Sequence, residues 1–96
     1  MVTSEILMTH RHDILSIASK HGIHHLRVVE PALLGGGHRA GEVDFLVEPD
    51  PGQNLRELGN LLLELEDLLG REVCVVTPNG LREPIRERVL REALPL

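Results

Sequence analysis

Between Asn54 and Gly70 the chain reads NLRELGNLLLELEDLLG, with Leu55, Leu58, Leu62, Leu65 and Leu69 at the three-four spacing that lays one apolar stripe along a helix. Asn54, with Glu57 three residues later, makes a capping-box-like start, and Gly70 supplies the left-handed residue that commonly ends a helix. A helix over Leu55–Leu69 has to bury that stripe, and the flanking segments offer a surface for it. Before it, EVDFLVE (Glu42 to Glu48) alternates, placing Val43, Phe45 and Val47 on one face of a strand and Glu42, Asp44, Leu46 and Glu48 on the other. After it, EVCVVT (Glu72 to Thr77) is β-branched enough for another strand.

The remaining segments repeat this change of period. From about Thr9 to His21 a helix is expected, with Ile14, Leu15, Ile17 and Ala18 on its apolar face and Gly22 closing it. His24 to Val29 alternates like a strand until Pro31 removes a backbone donor. Ala32 to Gly41 carries four glycines and no period, which predicts a loop. PNG predicts a turn, and Pro84 opens a last helix whose Ile85, Val89, Leu90 and Ala93 are expected to point inward. The order of elements predicts an α+β fold, an α/β sandwich in which helices pack on a small mixed sheet. At 96 residues, a single domain over residues 1–96 is expected.

Composition narrows the function. Phe45 is the one aromatic residue, so the core is aliphatic and platforms for stacking on nucleic-acid bases are missing. A net charge of -5 also argues against a generic duplex binder, and direct nucleic-acid binding is not expected. Cys74, the single cysteine, excludes an internal disulfide and a cysteine-based zinc site, which suits a reducing cytosol. No apolar run approaches the ~20 residues of a membrane span, and the first residues have the wrong charge order for a signal peptide. A cytoplasmic protein is expected.

The chemistry-bearing candidates cluster in LLGGGHRAGEVDFLVE (Leu33 to Glu48). Gly35, Gly36 and Gly37, with Arg39, could form a nest of N–H groups for an anion, although a glycine run in a surface turn is the commoner case. Glu42 and Asp44, spaced i and i+2, project to one face of a strand and are candidate metal ligands. The six histidines show no ligand spacing, and ordinary surface histidines are expected. A lone strand cysteine such as Cys74 is expected to be inert. Arg82, Arg86, Arg88 and Arg91 interleave with Glu83, Glu87 and Glu92, which reads as a solvated face or as a charged docking edge.

HGIHHLRVV, EVDFLVEPDPGQNLRELGNLLLELEDLLGREVCVVTP and LREPIRERVLREALPL together resemble the minimal nucleotidyltransferases, a small branch of the DNA polymerase beta-like superfamily. Members typically act as antitoxins beside HEPN-domain ribonucleases. The resemblance implies a Gly-Ser at the end of the first strand, Asp-x-Asp on the second and a further Asp on the next. Backbone N–H groups and a hydroxyl would hold the triphosphate, and the carboxylates would hold divalent ions. On that pattern Glu42 and Asp44 match Asp-x-Asp as catalytic and metal-binding residues, and Cys74 stands at the third Asp. An ungapped alignment puts Glu30 and Pro31 at Gly-Ser, where a carboxylate repels phosphate and a proline lacks the N–H. A shifted alignment puts Gly35 and Gly36 there, and Arg39 at the family's arginine, as the nucleotide-binding segment.

The motifs are therefore degenerate. The resemblance implies an antitoxin that neutralises a HEPN-type toxin mainly by binding, in a hetero-oligomer or beside a homodimer. Two alternatives stay open. One is a working enzyme that uses magnesium and ATP to move AMP to a toxin hydroxyl; the other is a non-catalytic interaction or dimerisation module.

Overall fold

The computed structural model describes residues 3–34, 42–52 and 54–96. Its elements run α1 (Thr3–Thr9), α2 (Arg11–Lys20), β1 (Ile23–Val29), α3 (Pro31–Leu34), β2 (Val43–Pro49), α4 (Leu55–Leu69), β3 (Val73–Val76), a 3-10 turn (Pro78–Gly80), α5 (Ile85–Glu92) and β4 (Leu94–Pro95). The strands form one sheet in the order β3-β2-β1-β4. β1 pairs antiparallel with both β2 and β4, whereas β2 and β3 are parallel, with α4 between them in the chain. The sheet is therefore mixed, as the element order predicted.

α4 has the bounds expected of it, for the reasons expected. The Asn54 side chain accepts from Glu57 N–H at 3.0 Å, and Gly70 closes the helix at φ 65°. Only a residue that tolerates positive φ ends the helix in this way. The buried stripe is centred on Leu61, Leu65 and Leu69, with Leu58 and Leu62 half-buried beside it, while the Leu55 side chain lies outside the described residues.

Strand alternation divides the core into two layers. Val43, Phe45 and Val47 face α1, α2 and α4, packing with Ile6, Ile14, Ala18, Leu61 and Leu65. On the other face Val29 and Leu46 pack with Leu34, Val89 and Ala93. Because β2 lies in the middle of the sheet, both of its faces are covered, and Val43 to Val47 is buried without interruption.

Several short elements departed from expectation. The first helix was expected from Thr9; instead α1 precedes it, and α2 begins at Arg11. The first residues of the loop expected over Ala32 to Gly41 belong instead to the one-turn helix α3 (Pro31–Leu34), opened by a proline whose missing N–H costs nothing at a first helical position. β4 is two residues long and carries a proline, so it has no periodic signal; it exists because it pairs with Arg27 and Val28. Leu90 was expected to point inward but is 38% exposed, because α5 turns only Ile85, Val89 and Ala93 toward the sheet.

His21 corrects the expectation of surface histidines. It is buried at the end of α2, with Nδ1 3.0 Å from Glu57 Oε2 and Nε2 3.3 Å from Glu64 Oε1, both on α4. Lys20 donates to the same Glu64 at 2.8 Å, and that hydrogen bond leads in holding the Glu64 carboxyl below its usual pKa. These contacts cross-link α2 to α4. Among the described residues, no helix is long and apolar enough to cross a membrane.

Candidate functional site

Asp44 is the one carboxylate in the interior of the sheet among the described residues, with 1% of its surface exposed. Its two strand partners are Val29 on β1 and Cys74 on β3. The pairing puts the carboxylate and the thiol side by side on the face that carries Leu46 and Val76, under α3 and α5. Glu42 lies one residue before β2, half-buried, and alternation sends it to the side that Asp44 takes. The expected neighbourhood of Glu42, Asp44 and Cys74 is thus present. Glu72 is exposed, and its carbonyl accepts from Val43 N–H at 3.0 Å, which fixes the start of the β2–β3 pairing.

The chemistry of this cluster is dominated by the thiol. Burial first, and then the negative charges of Asp44 and Glu42, push Cys74 up to about 11, and the thiol's hydrogen bond to Asp44 adds to the shift. At neutral pH Cys74 is therefore a protonated donor to a carboxylate and a poor nucleophile. Alkylation at pH 8 is expected to run roughly a hundredfold slower than for an unperturbed thiol of pKa 9.0, and to accelerate as pH approaches 11. Iodoacetamide labelling followed by mass spectrometry across pH 7 to about 11 measures this. Labelling that saturates already at pH 8 to about 9 would contradict the assignment.

A pair of magnesium ions does not fit these donors. Magnesium demands oxygen ligands in near-octahedral array, and a protonated thiol is a poor ligand for so hard a cation. Among the described residues, no group of three His, Cys, Asp or Glu side chains is placed to hold a metal ion.

Glu30 is exposed directly after β1, and Pro31 follows as the first residue of α3. The ungapped alignment therefore puts a carboxylate and an N–H-less residue next to the Val29–Asp44 rung. Gly35, Gly36, Gly37 and Arg39 lie outside the described residues. A cleft of about 400 Å³ elsewhere is bordered by Arg11, His24, His25 and Arg27. Three of these are already engaged: Arg11 with the Leu96 carbonyl at 2.6 Å, Arg27 with Glu48 at 2.9 Å and His24 with Asp50 at 3.4 Å.

No protein-family model matches the chain. A protein of Methanocaldococcus jannaschii named "putative protein adenylyltransferase" is 33% identical over 81 residues, spanning 84% of this chain and 87% of that protein. A solved structure described as a "putative minimal nucleotidyltransferase" superposes with a TM-score of 0.78 at 38% identity, covering 96% of this chain and 94% of the other. The chain belongs to the minimal nucleotidyltransferase family. In this minimal nucleotidyltransferase the likeness runs over nearly the whole chain, so the two-layer core and the Asp44–Cys74 rung both lie within the compared fold. The arrangement departs from the three-carboxylate pattern by having sulfur where the neighbouring strand would supply oxygen.

Proposed function

We propose that this minimal nucleotidyltransferase is an antitoxin that neutralises a HEPN-type ribonuclease mainly by binding it, with nucleotide transfer eroded. The observation that carries the reading is the Asp44–Cys74 rung: the buried carboxylate has a protonated thiol beside it on β3 and a valine beside it on β1. The metal-holding oxygens that phosphoryl transfer relies on are thereby reduced, whereas the family fold is intact.

A surface for the partner is at hand on α5 and β4. Arg86 pairs with Glu83, Arg88 with Glu92 and Arg91 with Glu87, leaving a solvated band of alternating charge. Leu90 and Leu94, 38% and 68% exposed, add apolar area at its end. Apolar side chains ringed by charge are the usual make-up of a docking patch.

A second reading, AMP transfer from ATP to a toxin hydroxyl, is favoured by the relative's name as a protein adenylyltransferase. The test separates the two. Co-expressed with the partner, Glu42→Gln with Asp44→Asn is expected to keep neutralisation within about twofold, while Arg88→Glu with Arg91→Glu weakens it by roughly tenfold or more. Retained binding with neutralisation lost in the carboxamide pair would assign the protein to the enzymes.

A further inference from the structure

We infer that the outward face of α4 is a contact surface for a second copy of this chain, docked antiparallel across a two-fold axis. The inference is independent of the antitoxin reading, because it concerns the other side of the sheet from α5 and its test needs no toxin.

The inner side and both flanks of α4 are taken. Leu61, Leu65 and Leu69 enter the core. Glu57 and Glu64 reach His21 at 3.0 and 3.3 Å, and Glu66 accepts from Val73 N–H at 3.1 Å. What remains is one outward stripe, Arg56, Gly59, Asn60, Leu63 and Asp67, at three-four spacing and exposed at every position. Three features of this stripe have no explanation within a single chain. Leu63 is 59% exposed on it. Gly59 weakens a helix interior relative to alanine, yet its φ is not positive and an added Cβ would meet nothing within 4 Å. Arg56 and Asp67 each carry the sign that their own helix end disfavours, a cation in the first turn and an anion in the last, and neither has an ion-pair partner among the described residues.

An antiparallel copy accounts for all three. Arg56 and Asp67 are equidistant from the point between Leu61 and Leu62, and so are Asn60 and Leu63. A two-fold axis through that point lays each Arg56 against the Asp67 of the other copy, once at either end of the contact, and sets each Leu63 beside the opposite Gly59 and Asn60. The missing side chain at Gly59 lets the two backbones come close enough to cover that leucine. Each charge then meets both an opposite charge and the helix end that favours its sign. A parallel two-fold copy would instead put Arg56 against Arg56, so the charge pattern selects the antiparallel arrangement. The α5 surface assigned to the toxin lies on the opposite face of the sheet and stays free in this dimer. One helix a side is small for an interface, so the dimer is expected to be weak, with a Kd on the order of 100 µM.

The experiment is sedimentation equilibrium of the full chain from about 10 µM to about 1 mM. The mean mass is expected to rise from the 10.7 kDa of one chain toward twice that value. Salt at about 1 M is expected to weaken the association, because exposed pairs are screened. Arg56→Glu and Asp67→Arg, each alone, are expected to weaken it roughly tenfold or more, and the two combined to restore it to within about threefold of wild type. Gly59→Gln is expected to weaken association while raising Tm at low concentration, which separates a contact role from a folding role. The substituted positions are exposed, and circular dichroism checks that each variant keeps the fold. A mean mass that stays at one chain up to about 1 mM overturns the inference. So does an association indifferent to the single charge reversals, or one that their combination does not restore.

Discussion

Phe45→Ala is expected to lower the unfolding free energy by about 3–5 kcal/mol, the largest effect of any single truncation in this protein. Phe45 is fully buried, the largest residue so placed, and sits on the middle strand of the sheet against α2 and α4. With no other aromatic residue in the chain, no neighbour has the volume to fill the space. Small domains have about 5–15 kcal/mol in total, so much of the stability is at stake in one ring. Urea denaturation measures it: the midpoint should fall with the slope unchanged. A loss below about 1 kcal/mol would mean that the aliphatic core collapses freely around the gap.

Val89→Asp is expected to be as costly by a different route, about 4 kcal/mol or more, and its effect should be local first. Val89 is fully buried at the centre of the smaller layer, where α5 rests on Val29 and Leu46 with α3 beside it. An aspartate there has to ionise in an apolar contact or leave it, and leaving it lifts α5 from the sheet. The layer formed with α2 and α4 does not involve Val89 and should persist. Hydrogen exchange is the discriminating measurement. Protection should fall in 85–92 and 31–34 well before 55–69 and 43–47, and a uniform fall across the chain would show that the two layers unfold as one. Because α3 and α5 cover the face that carries Asp44, the same variant should also speed alkylation of Cys74.

Much of the larger architecture was legible because its signals are periodic and local. The leucine stripe, Asn54 and Gly70 specify α4 through side-chain spacing, a cap hydrogen bond and a left-handed residue, each of which acts within a few residues. Alternation in Val43 to Val47 divided the residues correctly between the two faces of the strand, although both faces proved to be covered, and the placement of Asp44 beside Cys74 followed once the strands were paired. α1, α3 and β4 were missed for the opposite reason. The four to seven residues of α3 and α1 are too few for a helical period to show, and β4 exists only as a pairing partner of β1.

His21 is the instructive miss at the level of single residues. Its sequence surroundings, SKHGIHH, read as an exposed helix end, and nothing local says that Glu57 and Glu64, 36 and 43 positions away, will close over it. They do so because i and i+7 on α4 share a face, and that face meets the end of α2 only when both helices pack on the sheet. The candidate site divides along the same line. The sequence by itself determined which groups are available, a pair of carboxylates at i and i+2 and one thiol, because identity and strand alternation need no tertiary contact. Only the tertiary structure decided their chemistry. The parallel register seats Cys74 against Asp44, and burial with two nearby negative charges keeps its proton on, since a pKa reports surroundings that the chain assembles from distant parts.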